Sequence, residues 1–410
     1  MPGIRDRRHR ADQGAGSGRG HCRLCGRRHR ARPAGAGHDA PSGPLELVGA
    51  LAALAAAQER RVIRRALCLA LAAVLLAACG EVAPPLPEPE PNRFDAFSLP
   101  PIDLPRDDAP HANLTEWWYI SGHLQTAEGD PFGFEFALFQ SIRQGAPPGY
   151  AAHFAVTDVG RERFHYGERT EVADPYAKQS GPPAGLDLTV DGWTLRDVPG
   201  GFSISAGLDT VALQVELIPT KPAAVHNETG ILDFSPFGWS YYYSYTRAEV
   251  RGVLLDQGLP RPVTGTAWID HQWGDFISIT SGGWDWYSVQ LADGRDFTAS
   301  VVRDEFGATV LQYGTLVGPA GETRHLGADE LVVQAIGRWA SPHTGIVYPS
   351  GWTITVPGEG LRLRLDPFLR DQELDTRAST GVVYWEGAVH VSGDGGETGL
   401  GYVELTGYRP

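Results

Sequence analysis

Apolar and polar residues alternate with a period of two along most of the chain after residue 110. In residues 132–138, 211–217 and 361–365, a Phe, Val or Leu occupies every second position. Successive side chains of a β-strand point to opposite faces of the sheet, so this pattern predicts strands with one buried face.

Turn signals separate these runs. Short segments rich in Gly, Asp and Pro, such as 128–130, 191–192 and 293–294, recur about every ten residues. No amphipathic pattern extends beyond about three helical turns. Many short antiparallel strands joined by glycine-rich turns predict an all-β fold of barrels or sandwiches.

The chain also contains a short internal repeat. Residues 116–119 and 284–287 each end in a Trp-Tyr pair and precede a strand, a turn with Gly and Asp, and a Phe-containing strand. Trp118 and Trp286 are separated by the same number of residues as Tyr119 and Tyr287. This predicts two copies of one β unit, with an N-terminal domain over 111–276 and a C-terminal domain over 277–410.

The N-terminal part has a different composition, with no aromatic residue before Phe94 and many Arg. We interpret residues 1–61 as a disordered or wrongly included leader, because such a segment buries too little apolar surface to fold. Residues 62–78 combine a basic start with a short apolar run and predict a signal peptide. The run ends in Leu-Ala-Ala-Cys, which resembles a bacterial lipobox and implies lipid attachment at Cys79. The Pro-rich residues 79–110 then predict a stiff tether.

The charge and the cysteine content limit which partners and bound ions the sequence predicts. The formal net charge is −14, and the basic residues of the leader leave the body strongly acidic, which argues against nucleic acid as a partner. The Arg runs of the leader have a second reading as nucleic-acid patches. Cys22 and Cys25 form half a zinc motif without a second pair, so the sequence predicts no metal site and no cofactor. The expected membrane contact is the lipid on Cys79.

Acidic and aromatic residues concentrate in residues 268–276 and 282–287, which hold three Asp, one His, four Trp and a Tyr. Acids and bases beside large aromatic faces suit acid-catalysed chemistry on an apolar, electron-rich substrate. The alternative is a well-packed junction between two β domains, in which Asp270 and His271 are a satisfied hydrogen-bonded pair.

Several motifs resemble the AttH/carotenoid 1,2-hydratase family. They lie at residues 115–119, 153–158, 241–247, 267–274, 348–352, 384–388 and 401–408. The resemblance implies two tandem lipocalin-like antiparallel β-barrel domains. The family includes hydroxyneurosporene synthase, fungal hydratases and pericyclase-type enzymes, so it implies the fold more firmly than the reaction.

Adding water to an isolated C=C bond requires an acid strong enough to protonate carbon. Burial raises the pKa of a carboxyl group, and Asp270 and Asp285, each beside Trp, are the candidate acids. His271 is the candidate for orienting or deprotonating water. The resemblance supports a catalytic role for His271 and Trp273, and Asp285 and Tyr287 are the candidates for the family's further Asp and Tyr acids.

A second group of residues is predicted to bind the ligand. Trp284 and Trp286, like Trp273, offer indole faces that attract a carbocation. The other candidates are Glu116, Trp118, Tyr119, His153 and Tyr243. Each has a structural reading as well: Trp118 and Tyr119 as a plug of one barrel end, Glu116 as a solvated strand end, His153 as a core histidine, and Tyr243 as a packed phenol.

Two main functions remain open from the sequence, beside that of an assembly factor that contacts partner proteins. One is a lipid-anchored hydratase or isomerase that acts on a long, unsaturated, hydrophobic substrate. The other is a non-catalytic lipocalin-type carrier or chaperone for a lipid or another hydrophobic small molecule. Both place the protein on the periplasmic side of a bacterial membrane, with the outer membrane as the expected location. No Gly-x-Ser-x-Gly elbow supports a hydrolase.

Overall fold

The computed structural model describes residues 98–173, 185–235, 237–276 and 282–410. The predicted leader, the signal peptide, Cys79 and most of the tether lie outside these residues. Pro89–Pro410 forms one compact unit. Its described helices are short 3₁₀ turns at Arg106–Asp108 and Pro357–Glu359. Within the described ranges, no helix has the length and apolar character needed to cross a membrane.

Twelve strands form the first antiparallel sheet. They are β1 (Thr115–Thr126), β2 (Pro131–Ser141), β3 (Gly149–Asp158), β4 (Arg163–Val172), β5 (Asp187–Val190), β6 (Trp193–Val198), β7 (Gly201–Gly207), β8 (Val211–Pro219), β9 (Ala224–Val225), β10 (Ile231–Asp233), β11 (Gly238–Asp256) and β12 (Leu259–Phe276). The order is β4-β3-β2-β1-β12-β11-β8-β7-β6-β5, with β9 and β10 paired to β11.

The first sheet curls into a barrel, which we call barrel 1, and the alternating apolar residues of its strands fill the interior. Phe132, Phe134, Phe136 and Leu138 of β2 all point inward to one apolar core. The two ends of the sheet, β4 and β5, approach each other through side chains, since Glu171 accepts a hydrogen bond from the backbone N–H of Asp191 at 2.8 Å. A curled sheet with a filled interior is a barrel.

Twelve further strands follow. They are β13 (Gly283–Leu291), β14 (Asp296–Arg303), β15 (Thr309–Val317), β16 (Thr323–Leu326), β17 (Val332–Ala335), β18 (Arg338–Ala340), β19 (Val347–Pro349), β20 (Trp352–Val356), β21 (Leu361–Pro367), β22 (Glu373–Thr376), β23 (Val382–Gly393) and β24 (Thr398–Leu405). Ten form the second antiparallel sheet, barrel 2, with β22 paired to β23, and β18 pairs with β19 alone.

The two sheets repeat one arrangement. In barrel 1 the first strand lies between β2 and β12, and in barrel 2 the first strand lies between β14 and β24. The predicted all-β fold of two lipocalin-like barrels is therefore confirmed.

The outer faces of these central strands pack together, and we call this contact the seam. Its apolar part includes Tyr119, Trp268, Trp286 and Tyr402.

Candidate functional site

Strand alternation divides the acidic and aromatic stretch between three environments. On β12, Trp268 and Asp270 face the seam, whereas Ile269, His271 and Trp273 face barrel 1. Adjacent residues of a strand point to opposite faces, so Asp270 and His271 cannot share one site.

The same rule separates the residues of β13. Trp284 and Trp286 face the seam, whereas Tyr287 packs in the core of barrel 2. Asp285 is also turned away from the seam, and it lies 2.5 Å from the guanidinium of Arg303. Burial raises the pKa of the Asp285 carboxyl, and Arg303 partly offsets that effect.

A cavity of about 690 Å³ opens at the seam, a size typical of small-molecule sites. Its walls come from both barrels and include many Trp, Tyr and Phe side chains. Of the residues predicted from sequence, Tyr119, His153, Asp270, Trp284 and Trp286 line it. The others lie away from it: Glu116, Trp118, Tyr243, His271, Trp273, Asp285 and Tyr287.

Asp270 is held in the cavity wall by three donors. Tyr242 Oη donates to Oδ2 at 2.7 Å, and Trp268 Nε1 and the Ser244 hydroxyl donate to Oδ1. Burial raises the pKa of Asp270 to about 7, although the three hydrogen bonds act in the opposite direction. The trio fixes the carboxylate in place and favours its charged form.

A chain of hydrogen bonds leads from Ser244 through His226 to Thr315 of barrel 2. Ser244 Oγ lies 2.6 Å from His226 Nε2, and His226 Nδ1 lies 2.9 Å from Thr315 Oγ1. Burial lowers the pKa of His226 to about 3, so the imidazole is neutral at pH 7. His226 was not predicted from sequence, because nothing near it in the chain marks it as part of a site.

Asp270, Glu404 and Glu171 are the carboxyl residues of the cavity wall, and Glu171 is exposed. Glu404 is half-buried, and Trp284 Nε1 donates to its Oε2 at 2.9 Å. Burial raises the pKa of Glu404 to about 7; Trp284 lowers it, and the charges of Asp270 and Asp285 raise it further. Glu404 was not predicted from sequence. The usable signal was its position between Val403 and Leu405, which places an acid on the seam face of a central strand.

Two more acids lie behind the cavity. Tyr119 Oη donates to Glu386 Oε1 at 2.5 Å, while Glu386 Oε2 and both oxygens of Glu135 have no hydrogen-bond partner among the described atoms. Burial raises the pKa of both carboxyl groups well above the usual range, and the charge of Glu404 adds to this. Burial thus favours the protonated form of both groups.

His153 connects the two barrels at the cavity wall. Its Nδ1 lies 2.8 Å from Tyr384 Oη and its Nε2 lies 3.0 Å from Ser379 Oγ. Burial lowers the pKa of His153 to about 3, which keeps the ring neutral. His153 is thus a neutral imidazole with two hydrogen bonds to barrel 2, and it helps to hold the two sides of the cavity wall together.

His271 belongs to a separate polar cluster inside barrel 1, under the segment 98–114. Its Nε2 lies 2.8 Å from Glu116 Oε1 and its Nδ1 lies 3.0 Å from Tyr243 Oη. His111 Nδ1 approaches the same Glu116 oxygen at 2.7 Å. Within the described ranges, His111, Glu116 and His271 are the group of His and carboxylate residues close enough together to share a metal ion.

Aromatic rings enclose this cluster. Trp273 stacks on His111 with ring centroids 4.1 Å apart, and Trp118 stacks on His271 at 4.7 Å. Trp118, Trp273 and Tyr243 therefore act together with His271, but on the opposite face of the sheet from the cavity.

Comparisons with known proteins agree with this architecture. A family model described as AttH-like matches residues 96–408. A crystal structure of a protein from Nitrosomonas europaea, assigned as an AttH, superposes on this chain with a TM-score of 0.69 and is 33% identical in sequence. The match covers 75% of this chain and 98% of that chain. Kievitone hydratase from Nectria haematococca is 18% identical with a TM-score of 0.61, over 76% of this chain and 94% of that chain, a likeness of fold. No match is found among curated proteins.

Proposed function

This chain belongs to the AttH-like family, and we propose that it binds a hydrophobic, unsaturated molecule in the cavity at the seam and adds water to a C=C bond. The observation that carries the proposal is the pair of carboxyl groups, Asp270 and Glu404, in the wall of an aromatic cavity. A solved structure of similar fold is a hydratase, which is consistent with this reaction class.

The environments of the two carboxyl groups assign their roles. Glu404 receives one hydrogen bond from a side chain, whereas Asp270 receives three. When the pair holds one proton, the three donors stabilise the charge on Asp270 and leave the proton on Glu404. Two carboxyl groups with different environments commonly divide acid and base roles in this way.

The reaction then balances as an addition of water. The π electrons of the alkene take the proton of Glu404, and a C–H bond forms at one carbon while the other becomes a carbocation. The indole faces of Trp284 and Trp286 attract that cation, an effect of up to about 2 kcal/mol in a desolvated site. Water bonds to the cationic carbon, its proton passes to Asp270, and the proton returns to Glu404.

Mass spectrometry of the molecule that co-purifies with the protein tests the proposal. After incubation in H₂¹⁸O, we expect a product heavier by one water that carries ¹⁸O. Asp270→Asn and Glu404→Gln should retain the ligand and lower the hydration rate at least a hundredfold, as general acid–base catalysis contributes about 10²–10⁴-fold.

Asp371→Asn is the matched control, because Asp371 pairs with His343 on the exposed surface. It should leave hydration unchanged. A ligand recovered without ¹⁸O from every variant would instead support the non-catalytic carrier. A protein that binds no apolar molecule would contradict both functions.

We also infer that the protein is lipid-anchored through Cys79 on the periplasmic side of a membrane. The support is the lipobox-like sequence that ends at Cys79. Labelling with an alkyne fatty acid should mark the wild type and leave Cys79→Ser unlabelled. Labelling of both would exclude Cys79 as the attachment site.

A further inference from the structure

We propose that His111, Glu116 and His271 form a zinc-binding site inside barrel 1. Glu116 Oε1 lies 2.7 Å from His111 Nδ1 and 2.8 Å from His271 Nε2, and the three atoms lie within 4.8 Å of one another. Two imidazoles and one carboxylate are the protein ligands of many catalytic zinc sites. The site is separate from the seam cavity, since His271 points to the other face of β12.

The surroundings of the ligands are those of a metal site. Metal-binding histidines usually direct their second ring nitrogen to a carboxylate or another acceptor, which fixes the tautomer. His271 Nδ1 lies 3.0 Å from Tyr243 Oη, which lies 2.5 Å from Asp108 Oδ1. His111 Nε2 lies 3.8 Å from Asp107 Oδ1. His271 thus has a hydrogen-bonded outer partner that leads to a carboxylate, whereas the Asp107 carboxylate lies near His111 Nε2 but beyond hydrogen-bond distance.

The hydrogen bonds behind His271 are compatible with an ion on its other ring nitrogen. With zinc on His271 Nε2, Nδ1–H can donate to Tyr243 Oη and the Tyr243 hydroxyl can donate to Asp108 Oδ1.

The site can admit the ion with small movements. Zinc binds His nitrogen at about 2.0–2.1 Å, so tetrahedral ligands lie about 3.3 Å apart. Both imidazoles must therefore move by about half an ångström from Glu116 Oε1. His111 lies outside regular secondary structure, just before β1, whereas His271 lies on β12 and moves by side-chain rotation. The His111 side chain is 20% exposed, which gives the ion a path from solvent and leaves room for a water ligand.

Glu116 is the fixed element of the site. Its Oε2 accepts hydrogen bonds from the His111 backbone N–H at 2.8 Å and from Gln140 Nε2 at 2.9 Å. These contacts orient the carboxylate so that Oε1 faces both imidazoles. The sequence does not reveal the set, because Glu116 and His271 are 155 residues apart.

Calorimetric titration of the metal-free full chain with Zn²⁺ tests the proposal. All variants carry Cys22→Ser and Cys25→Ser, so that this pair contributes no ligand. We expect one Zn²⁺ per chain and a higher melting temperature with zinc, because an ion that binds the folded state stabilises it. His111→Ala and His271→Ala should each weaken zinc binding at least tenfold.

His343→Ala is the matched control, because it removes an exposed histidine that also pairs with a carboxylate. It should bind zinc like the parent. Tyr243→Phe should weaken binding about tenfold, as loss of an outer partner costs about 10–100-fold in affinity. His111→Ala changes a side chain outside regular structure, so its fold is retained even if His271→Ala is unstable. Unchanged zinc affinity in His111→Ala, or no binding by the parent chain, would overturn the proposal.

Discussion

At the scale of single residues, the position of a carboxyl group on a strand determines its chemistry. Asp270 and Asp285 have similar sequence surroundings, each next to Trp or one residue from it. Asp270 faces the seam cavity, whereas Asp285 contacts Arg303 and Tyr408 inside barrel 2. The first can meet a ligand in the cavity, and the second has the contacts of a structural ion pair.

The reaction rate should depend on pH in a bell-shaped manner with a maximum near pH 7. Burial raises the pKa of Glu404 and of Asp270 to about 7, and their charges interact. Below this range both carboxyl groups are protonated and the base is missing; above it both are ionised and the acid is missing. Initial rates from pH 5 to 9, with the ligand recovered from the protein, measure this.

The contribution of each group to the profile can be separated. The charge of Asp285 also raises the pKa of Glu404, so Asp285 shifts the midpoint of the profile without supplying a group in the cavity wall. In Glu404→Gln, the residual hydration rate should no longer decrease above pH 7. A variant rate that still decreases above pH 7 would show that another acid delivers the proton.

Removal of Arg303 should destabilise barrel 2 and leave the cavity unaffected. Arg303→Met leaves the buried carboxylate of Asp285 without its cation, a change that costs about 3–5 kcal/mol in typical buried pairs. Urea unfolding measures the loss. Arg364→Met is the control, since it breaks an exposed pair with Asp366 worth about 0–1 kcal/mol. Equal losses in both variants would contradict a buried role for Arg303.

At the scale of strands, the period-two pattern was enough to predict the all-β class of the fold but not the grouping of the site. The runs at residues 132–138 and 211–217 form β2 and β8 with their alternate residues in one core. A pattern along one strand does not show which face meets the other barrel. Asp270 and His271 were therefore predicted to share one site, although the pleat places them on opposite faces of β12.

Glu404 and Tyr242 were not predicted because a pattern along one strand does not show which strands lie beside it. Glu404 and Tyr242 reach the cavity because β24 and β11 lie beside β13 and β12, and such pairings join residues far apart in the chain. Glu404 is the pairing partner of Trp286, from which the sequence separates it by more than a hundred residues. Resemblance to a family implied the barrels, but it could not supply these contacts for individual side chains.

Adjacent residues of β13 should respond differently to truncation. Trp286→Ala removes an aromatic wall of the cavity, so ligand affinity should fall, and stability should fall as well because Trp286 is buried at the seam. Tyr287→Ala leaves a void in the core of barrel 2 and should cost about 3–5 kcal/mol, as large aromatic truncations do. Ligand titration and urea unfolding of the two variants distinguish these effects. Loss of affinity in Tyr287→Ala at full folding would place that ring at the ligand instead.

At the scale of the whole molecule, buried polar contacts join the two barrels around the cavity. Lys221 of barrel 1 lies 2.6 Å from Asp296 of barrel 2, which also pairs with Arg247 of barrel 1 at 2.6 Å. Gln290 donates to the carbonyl oxygens of Thr246 and Ala267 across the same seam. Since the cavity walls come from both barrels, these contacts also fix the separation of Asp270 and Glu404.

Loss of Lys221 should therefore affect both stability and the site. Lys221→Met leaves Asp296 with a single cationic partner in a fully buried position, and we expect a loss of a few kcal/mol, at or below the 3–5 kcal/mol typical of a broken buried pair. As the seam loosens, urea unfolding followed by Trp fluorescence should change from one transition to two. Ligand affinity should fall in parallel, although Lys221 does not line the cavity. Arg196→Met, which breaks the exposed pair with Asp187, should change neither property. A single unfolding transition with unchanged affinity in Lys221→Met would show that apolar packing alone holds the barrels at the distance the site requires.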